Sequence, residues 1–403
     1  MHWLGSLNPV VRSPAFRRLW VSSVFNALSM GGDFVLVSWL AYSVTGDAGW
    51  TGLAFALLFV PMFFLGVPAG TLADRYNRHG LLRTLELAAG AALLLLALAF
   101  TLSSPGLVHV LIMPLALGCI RSVQNPVRLS FAFDLAGANN AMGGLAGVSL
   151  ATRAGTIVGA LSAGTLAQVH GISGALAVMA VAHGAAWFCL GRSAPATSAQ
   201  VLDRKPLMEN LRESVTELKR NQLLLALVLV TAVVEVFGTS FSTLVPSLND
   251  DRLGLGAQGL GWLFAAQATG ALIAGIILFS IPARSREVFG YAAVIAGLGF
   301  MIVVLAWADG LVVMLVVLGL IAAAISAWDI LTQSMMQLSV PEHLRGRAMG
   351  AWGFAIGSAP IGHLQIGLLA GAIGTEWALI GNGTLVVVTI TVALLISPSL
   401  RRL

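Results

Sequence analysis

The sequence predicts an all-α membrane protein of twelve transmembrane helices, and its composition and its apolar runs support this fold class. Of the 403 residues, 58% are hydrophobic and only 10% are charged, whereas about 25% of the residues of a soluble domain are charged. The apolar runs are continuous and about 20 residues long or longer, which is the length of a helix that crosses a bilayer. Transmembrane strands are shorter and alternate in polarity, so the spans are helices.

The apolar runs divide the chain into twelve predicted spans, which we number in chain order as span one to span twelve. They lie roughly at residues 17–44, 50–73, 80–103, 107–133, 139–169, 172–191, 222–247, 257–281, 287–308, 311–338, 346–373 and 375–397.

The basic residues indicate how the spans are oriented. If the N-terminus is cytoplasmic, all 22 Lys and Arg residues lie at the cytoplasmic face except Arg121 and Arg153, which fall within spans, and Arg252, which lies outside. The positive-inside rule therefore predicts cytoplasmic termini for a multi-pass protein of the cell inner (cytoplasmic) membrane. Since the basic residues behind the net charge of +5 sit in loops between spans, this charge indicates topology, and no nucleic-acid partner is expected.

One internal segment interrupts the regular order of spans. Residues 192–221 are rich in Ser, Pro, Thr and Gln and then in charge, so we expect a cytoplasmic linker between two six-helix halves, 1–191 and 222–403. The linker could be a helix on the membrane surface or a solvated tether, and both readings stay open. Its apolar residues recur at helical spacing: Leu207, Leu211, Val215 and Leu218.

The two halves share a pattern of charges. Asp33 in span one follows 15 residues after Arg18, and Glu235 in span seven follows 15 residues after Arg220. This pattern predicts a parallel repeat of two pseudo-symmetric six-helix bundles. It places Asp33 and Glu235 in equivalent positions.

A compact charged motif lies between spans two and three. Charge this dense needs water, so we expect a tight loop at a membrane face. The residues match the signature Gly-x-Leu-Ala-Asp-Arg-x-x-Arg, through which the chain resembles the major facilitator superfamily of secondary transporters. The matching residues are Gly70, Leu72, Ala73, Asp74, Arg75 and Arg78. The resemblance implies that Asp74 stabilises one conformational state; the alternative is that any short cytoplasmic loop collects arginines.

Spans four and five extend the resemblance. Arg121 and Gln124 in span four are similar to the superfamily's Arg-x-x-Gln signature, although Asn125-Pro126 replaces its usual Gly. Span five is similar to the antiporter signature Gly-x-x-x-Gly-Pro-x-x-Gly-Gly, with Ala in place of the Pro and of one Gly. Its glycines are Gly155, Gly159 and Gly164. Small residues of this kind let helices pack closely.

Several ionisable residues lie inside spans, where charge is costly and indicates function. The resemblance implies that spans one, four, seven and ten line a central cavity. The residues concerned are Asp33, Arg121, Glu235 and Asp329. We expect Asp33 and Arg121 to pair, because an unpaired buried charge is expensive. For each carboxylate the alternative is a structural ion pair. Arg153 in span five either faces the cavity or binds nearby backbone, and the histidines within spans are expected to pack.

The resemblance covers nearly the whole chain and implies a secondary active transporter. Gly32-Asp33 and the segment 341–347 resemble the branch that exports siderophores, macrolides and other drugs, so the implied activity is export of a small amphiphilic compound by proton antiport. The expected partners are that substrate, protons and membrane lipid, and the expected state is a monomer. A lipid or lysolipid flippase and a proton-coupled importer of a small metabolite are the alternatives.

The sequence does not favour an enzyme. It contains no Gly-x-x-x-x-Gly-Lys-Ser/Thr loop, so we expect gradient-driven transport without ATP binding through such a loop. No cofactor and no metal are expected.

Overall fold

The computed structural model is a bundle of membrane-crossing helices joined by short turns. It describes residues 13–137, 140–191, 221–280, 288–341 and 344–401, and within these ranges it contains helices and no strand.

The first half contains six spans. Span one is Pro14–Thr45, span two Ala48–Arg75, span three Arg78–Leu102, span four Leu107–Ala136, and spans five and six together Ala141–Leu190. Spans five and six have no loop between them, because the chain reverses at Gly171, where φ is 71° and ψ is 177°. This left-handed conformation is open to Gly and strained for other residues.

The second half begins with an irregular span. Span seven starts as the helix Gln222–Val233, passes through a π-helical turn at Val234–Gly238 and a 3₁₀ turn at Ser240–Leu244, and ends at Leu253. The remaining spans are Gly256–Ser280, Val288–Leu305, Leu311–Leu338, Arg345–Ile356 with Ala359–Ile373, and Thr375–Ile396.

The helices confirm the predicted membrane fold. Within the described residues, 10 helices are long and apolar enough to cross a membrane. One of them, Gly143–Leu190, has 48 residues and crosses twice because of the break at Gly171, and Gly290–Leu305 is a shorter apolar helix. Together these account for the twelve predicted spans.

The turn between spans two and three is shorter than predicted. Span two continues as a helix through Arg75, so Gly70, Asp74 and Arg75 belong to its last turns and only Tyr76 and Asn77 lie between the helices. Residues 71–75 contain no helix breaker, and Asn77 is a good N-cap that accepts a hydrogen bond from the Gly80 N–H at 3.1 Å. The side chains of residues 66–75 lie outside the described part.

Within the described residues, two pairs of spans make the most extensive contacts between the halves. Span two packs against span eleven, and span five packs against span eight. A repeat that superposes spans one to six on spans seven to twelve places span two on span eight and span five on span eleven. It therefore converts one of these pairs into the other, which agrees with the predicted pseudo-symmetry. The division into 1–191, 192–221 and 222–403 stays a prediction, because residues 192–220 and their apolar pattern lie outside the described residues.

The halves touch most closely near one face of the membrane. We call the face where span one begins and span twelve ends the terminal face, and the opposite face the distal face. A Cβ added to Gly164 would lie 2.6 Å from the carbonyl oxygen of Ala257, and one added to Gly367 would lie 2.5 Å from that of Ala48. These positions lie about two turns or less from the distal ends of their helices. The backbones of the halves therefore meet there and close the distal side.

Candidate functional site

An ion pair between spans one and four forms the centre of the polar site in the first half. Arg121 donates to Asp33 Oδ2 through Nη2 at 2.6 Å and through Nε at 3.1 Å, and Nη2 also donates to the Met30 carbonyl at 2.6 Å. The side chain of Asp33 is 3% exposed and that of Arg121 is 12% exposed. The predicted partnership of Asp33 and Arg121 is thus confirmed, and both charges are balanced where water is scarce.

Glu235 lies in the equivalent span of the second half but in a different environment. It occupies the π-helical turn of span seven and is buried. Its carboxylate accepts a hydrogen bond from Thr239 at 3.2 Å, and within the described part of the chain no cation pairs with it. π-helical turns inside helices are often found at functional positions. The apolar sequence around Glu235 gives no sign of this turn.

Asp329 and Arg153 lie in spans of opposite halves, spans ten and five. Arg153 in span five donates to Ser326 of span ten at 3.2 Å, so its side chain reaches across the interface between the halves. Asp329 accepts a hydrogen bond from Gln333 at 3.0 Å. The Arg153 side chain thus donates to a side chain of the other half, and its place in the cavity stays a prediction.

Aromatic rings from both halves surround Phe34, which follows Asp33 in the chain. The guanidinium of Arg121 lies 4.9 Å from the Phe34 ring centre. Phe55 and Phe59 of span two lie 6.2 Å from it, and Phe264 of span eight lies 6.4 Å from it. The ion pair thus borders an apolar, aromatic wall, which suits a ligand with both polar and apolar parts.

His363 of span eleven completes this wall. Its ring stacks between Phe55 and Phe59, with centroid distances of 5.2 Å to each. Its Nδ1 lies 2.8 Å from the hydroxyl oxygen of Thr243. His363 is therefore a packed and hydrogen-bonded residue, as predicted, but it packs between the two halves.

A second buried charge cluster was missed by the sequence analysis. Glu86 of span three forms an ion pair with Arg128 of span four, and His183 Nδ1 of span six lies 2.7 Å from the other carboxylate oxygen. Asn26 of span one also donates to Glu86 at 3.2 Å, and Arg128 donates to Ser23 at 2.9 Å. These contacts join four spans of the first half. The sequence contains one sign of this cluster, because Glu86 is an ionisable residue eight positions inside span three.

The small residues of span five bring it close to two other spans. A Cβ on Gly155 would meet the carbonyl oxygen of Val24, and one on Gly159 would overlap that of Leu28, so both glycines pack against span one. Gly164 packs instead against span eight of the other half. The predicted close packing is present, and it is divided between these two neighbours.

Arg78 is the described side chain of the charged motif between spans two and three. It pairs with Asp134 near the end of span four, with Nη1 at 2.6 Å and 2.7 Å from the two carboxylate oxygens. This pair fixes the beginning of span three to the end of span four at the terminal face.

Together these features define a membrane transporter. Two related helix bundles close one face against each other, and buried charges and aromatic rings lie between them, as expected for alternating access to a central site. The chain belongs to the Major Facilitator Superfamily, whose family model matches residues 19–362. It is accordingly a multi-pass transporter of small organic molecules and not an enzyme.

Curated relatives are exporters of one compound. The chain is 26% identical over 373 residues to the enterobactin exporter EntS of Escherichia coli O81 (strain ED1a), covering 90% of this chain and 88% of that protein. It is 25% identical over the same length to the enterobactin exporter EntS of Shigella boydii serotype 18 (strain CDC 3083-94 / BS512), with the same coverage.

Solved structures share the fold at low sequence identity. The nucleoside transporter NupG matches with a TM-score of 0.76 at 12% identity, over 94% of this chain and 98% of that one. A bacterial homolog of the human lysosomal transporter Spinster, in an inward-facing and unoccupied conformation, matches with a TM-score of 0.68 at 14% identity, over 97% and 96%.

Proposed function

We propose that this transporter exports a small amphiphilic organic compound, drug-like or siderophore-like, in exchange for protons across the inner membrane. Its similarity to enterobactin exporters supports the direction and the substrate class. The observation that carries the proton coupling is Glu235, a buried carboxylate without a cationic partner among the described residues, at the position that the repeat makes equivalent to Asp33.

The two equivalent carboxylates suit different tasks. Asp33 is balanced by Arg121, which stays protonated at any physiological pH. Glu235 has the neutral Thr239 hydroxyl as its partner, and a negative charge held away from water without a cation is costly. Of the two carboxylates, Glu235 is therefore the one whose negative charge costs more free energy when the site closes. It should bind a proton at that stage and release the proton when water returns.

This difference gives an exchange cycle. Glu235 takes a proton from the outside while the site faces outward, and the neutral acid then passes through the closed state at low cost. Once the site faces the cytoplasm, the substrate binds beside the Asp33–Arg121 pair and the Phe34 wall, and the proton leaves to the cytoplasm. The substrate is then transported to the outside while Glu235 is ionised and hydrated. Each turn moves one proton in as the substrate moves out.

Proton movement in proteoliposomes tests the coupling. The full chain would be reconstituted with a pH-sensitive dye inside the vesicles, and enterobactin, the compound named for the relatives, and a lipophilic dye would serve as probes. We expect the wild type to move protons when a probe is added, and Glu235→Gln to reduce this movement at least tenfold.

A matched substitution controls this experiment. Glu376 lies at the distal surface, where it accepts from Arg252 at 3.0 Å, so Glu376→Gln should couple as the wild type does. Wild-type proton movement in Glu235→Gln would exclude Glu235 as the coupling site and would favour Asp329. An absence of probe-dependent proton movement in the wild type would argue against antiport itself.

The same vesicles distinguish the two alternatives. A flippase would move a fluorescent lysolipid between leaflets without a pH gradient, whereas an importer would accumulate a polar metabolite with protons moving in the same direction. Counter-directed movement of protons and an amphiphilic probe is the result that only the antiport proposal expects.

A further inference from the structure

A pocket lies at the terminal face between spans three and six, away from the central site. Its volume is about 450 Å³, within the range of ligand sites. Its described lining includes His79, Arg83, Thr84 and Leu87 of span three and Trp187 of span six, and none of the lining residues is acidic. Arg83 lies five residues into span three, about 7.5 Å along the helix, which is the depth of lipid head groups.

The guanidinium of Arg83 is positioned for an anion. It lies over the Trp187 ring, 4.8 Å from the ring centre. Such stacking uses the flat face of the guanidinium and leaves the N–H groups at its edge free to donate. The Nε atom of Arg83 is buried and makes no hydrogen bond within the described part of the chain. A buried donor of a charged group rarely lacks an acceptor, and an anion seated against the guanidinium would supply one.

The pocket continues into a lipid-facing apolar surface. Leu87, Leu94 and Leu98 follow one face of span three and are 49%, 53% and 54% exposed. On the facing span six, Val181 and Phe188 are 68% and 77% exposed. In a membrane protein these side chains contact acyl chains, so a ligand with a charged head and apolar tails can occupy the pocket and this surface at once.

We propose that the pocket binds the phosphate of an anionic phospholipid, with Arg83 donating to the phosphate and Trp187 holding the guanidinium in place. A free phosphate ester shares the head-group chemistry. The apolar surface beyond Leu87 favours the lipid, because a soluble phosphate would leave that surface unused. Basic pockets between transmembrane helices bind anionic head groups for this physical reason.

Native mass spectrometry of the purified full chain tests the proposal. The protein would be titrated with phosphatidylglycerol, with phosphatidylcholine and with glycerol 3-phosphate. We expect phosphatidylglycerol to bind more tightly than phosphatidylcholine, and glycerol 3-phosphate to bind far more weakly than either lipid. Arg83→Gln should weaken phosphatidylglycerol binding about fivefold, the factor that corresponds to about 1 kcal/mol for one basic residue near the membrane surface.

Two further variants separate the pocket from general surface charge. Arg17 is exposed at the same face, so Arg17→Gln removes the same charge outside the pocket and should leave binding unchanged. Arg83→Lys retains the charge but loses the flat guanidinium that stacks on Trp187, so its affinity for phosphatidylglycerol should lie between those of the wild type and Arg83→Gln. This variant also serves if Arg83→Gln does not fold.

Three results would overturn the proposal. One is equal loss in Arg83→Gln and Arg17→Gln, and another is equal affinity for the two lipids. The third is glycerol 3-phosphate binding as tightly as phosphatidylglycerol, which would identify a soluble phosphate ligand. All of these results are independent of proton antiport, because the assay measures binding without transport.

Discussion

At the scale of single residues, the pair of Asp33 and Arg121 makes a quantitative prediction. Asp33→Asn leaves Arg121 buried without its counter-ion, and breaking a buried pair in this way costs about 3–5 kcal/mol. We expect a clearly lower midpoint of thermal unfolding for Asp33→Asn. The double variant Asp33→Asn with Arg121→Gln should recover much of the loss, because both groups are then neutral.

Thermal unfolding of the wild type, both single variants and the double variant measures this coupling. Asp309→Asn is the control, since the Asp309 side chain is 84% exposed and lies 3.8 Å from Arg252. Additive losses in the double variant would show that Asp33 and Arg121 do not stabilise each other.

The residue scale also shows where sequence reasoning succeeded and failed. Asp33 and Arg121 were predictable as partners because each lies deep in an apolar run, where a lone charge is expensive. Arg128 lies near the end of span four, where a basic residue is expected to reflect topology. Its partner Glu86 lies in span three and His183 in span six, so the cluster depends on long-range packing, which periodicity in one segment does not reveal.

At the scale of helices, Gly164 predicts how the distal face closes. Gly164→Val places a side chain against the backbone at Ala257 and Gly261, and such overpacking costs about 1–3 kcal/mol. Since the cost arises only when spans five and eight touch, the variant should shift the protein toward a state open at the distal face.

Spin labels at Ser104 and Asp309, in the distal loops of the two halves, would report this shift as a longer distance in electron paramagnetic resonance. Gly184→Val is the matched control, because a Cβ at Gly184 meets open space. An unchanged distance distribution in Gly164→Val would mean that the contact between spans five and eight does not control closure.

Helix boundaries were predictable only where the sequence contains a chemical stop. Gly46 ends span one, as expected for a glycine C-cap, and Asn77 precedes span three, as expected for an asparagine N-cap. The irregular turns of span seven were not predictable, because the residues around Glu235 are apolar on every side of the helix and do not distinguish an α-helix from a π-turn. The π-turn at Glu235 depends on its neighbours in spans nine, eleven and twelve.

At the scale of the whole molecule, the distribution of basic residues predicts orientation. Both termini and the segment 192–221 should be cytoplasmic. In intact cells, with Cys119 and Cys189 replaced, an impermeant thiol reagent should label Asp251→Cys and should label Ser198→Cys only after permeabilisation. Labelling of position 198 but not of position 251 in intact cells would show that the topology is the reverse of the predicted one.

The overall fold was the most predictable level. Twelve apolar runs and a repeated charge pattern are sufficient to specify two six-helix halves, because a membrane restricts the chain to helices. How the halves contact each other was not predictable in the same way. Close contacts such as that of Gly367 with Ala48 depend on small residues from distant spans, and a chain with 45 glycines offers many such sites.

The turn at Gly171 has a mechanical consequence. A single residue joins spans five and six, and one residue spans only about 3.8 Å between successive Cα atoms. The connection therefore holds the distal ends of spans five and six together and leaves them no room to separate. When the contact between spans five and eight opens, the distal end of span six must move together with that of span five, so opening this contact displaces a helix that does not itself form it.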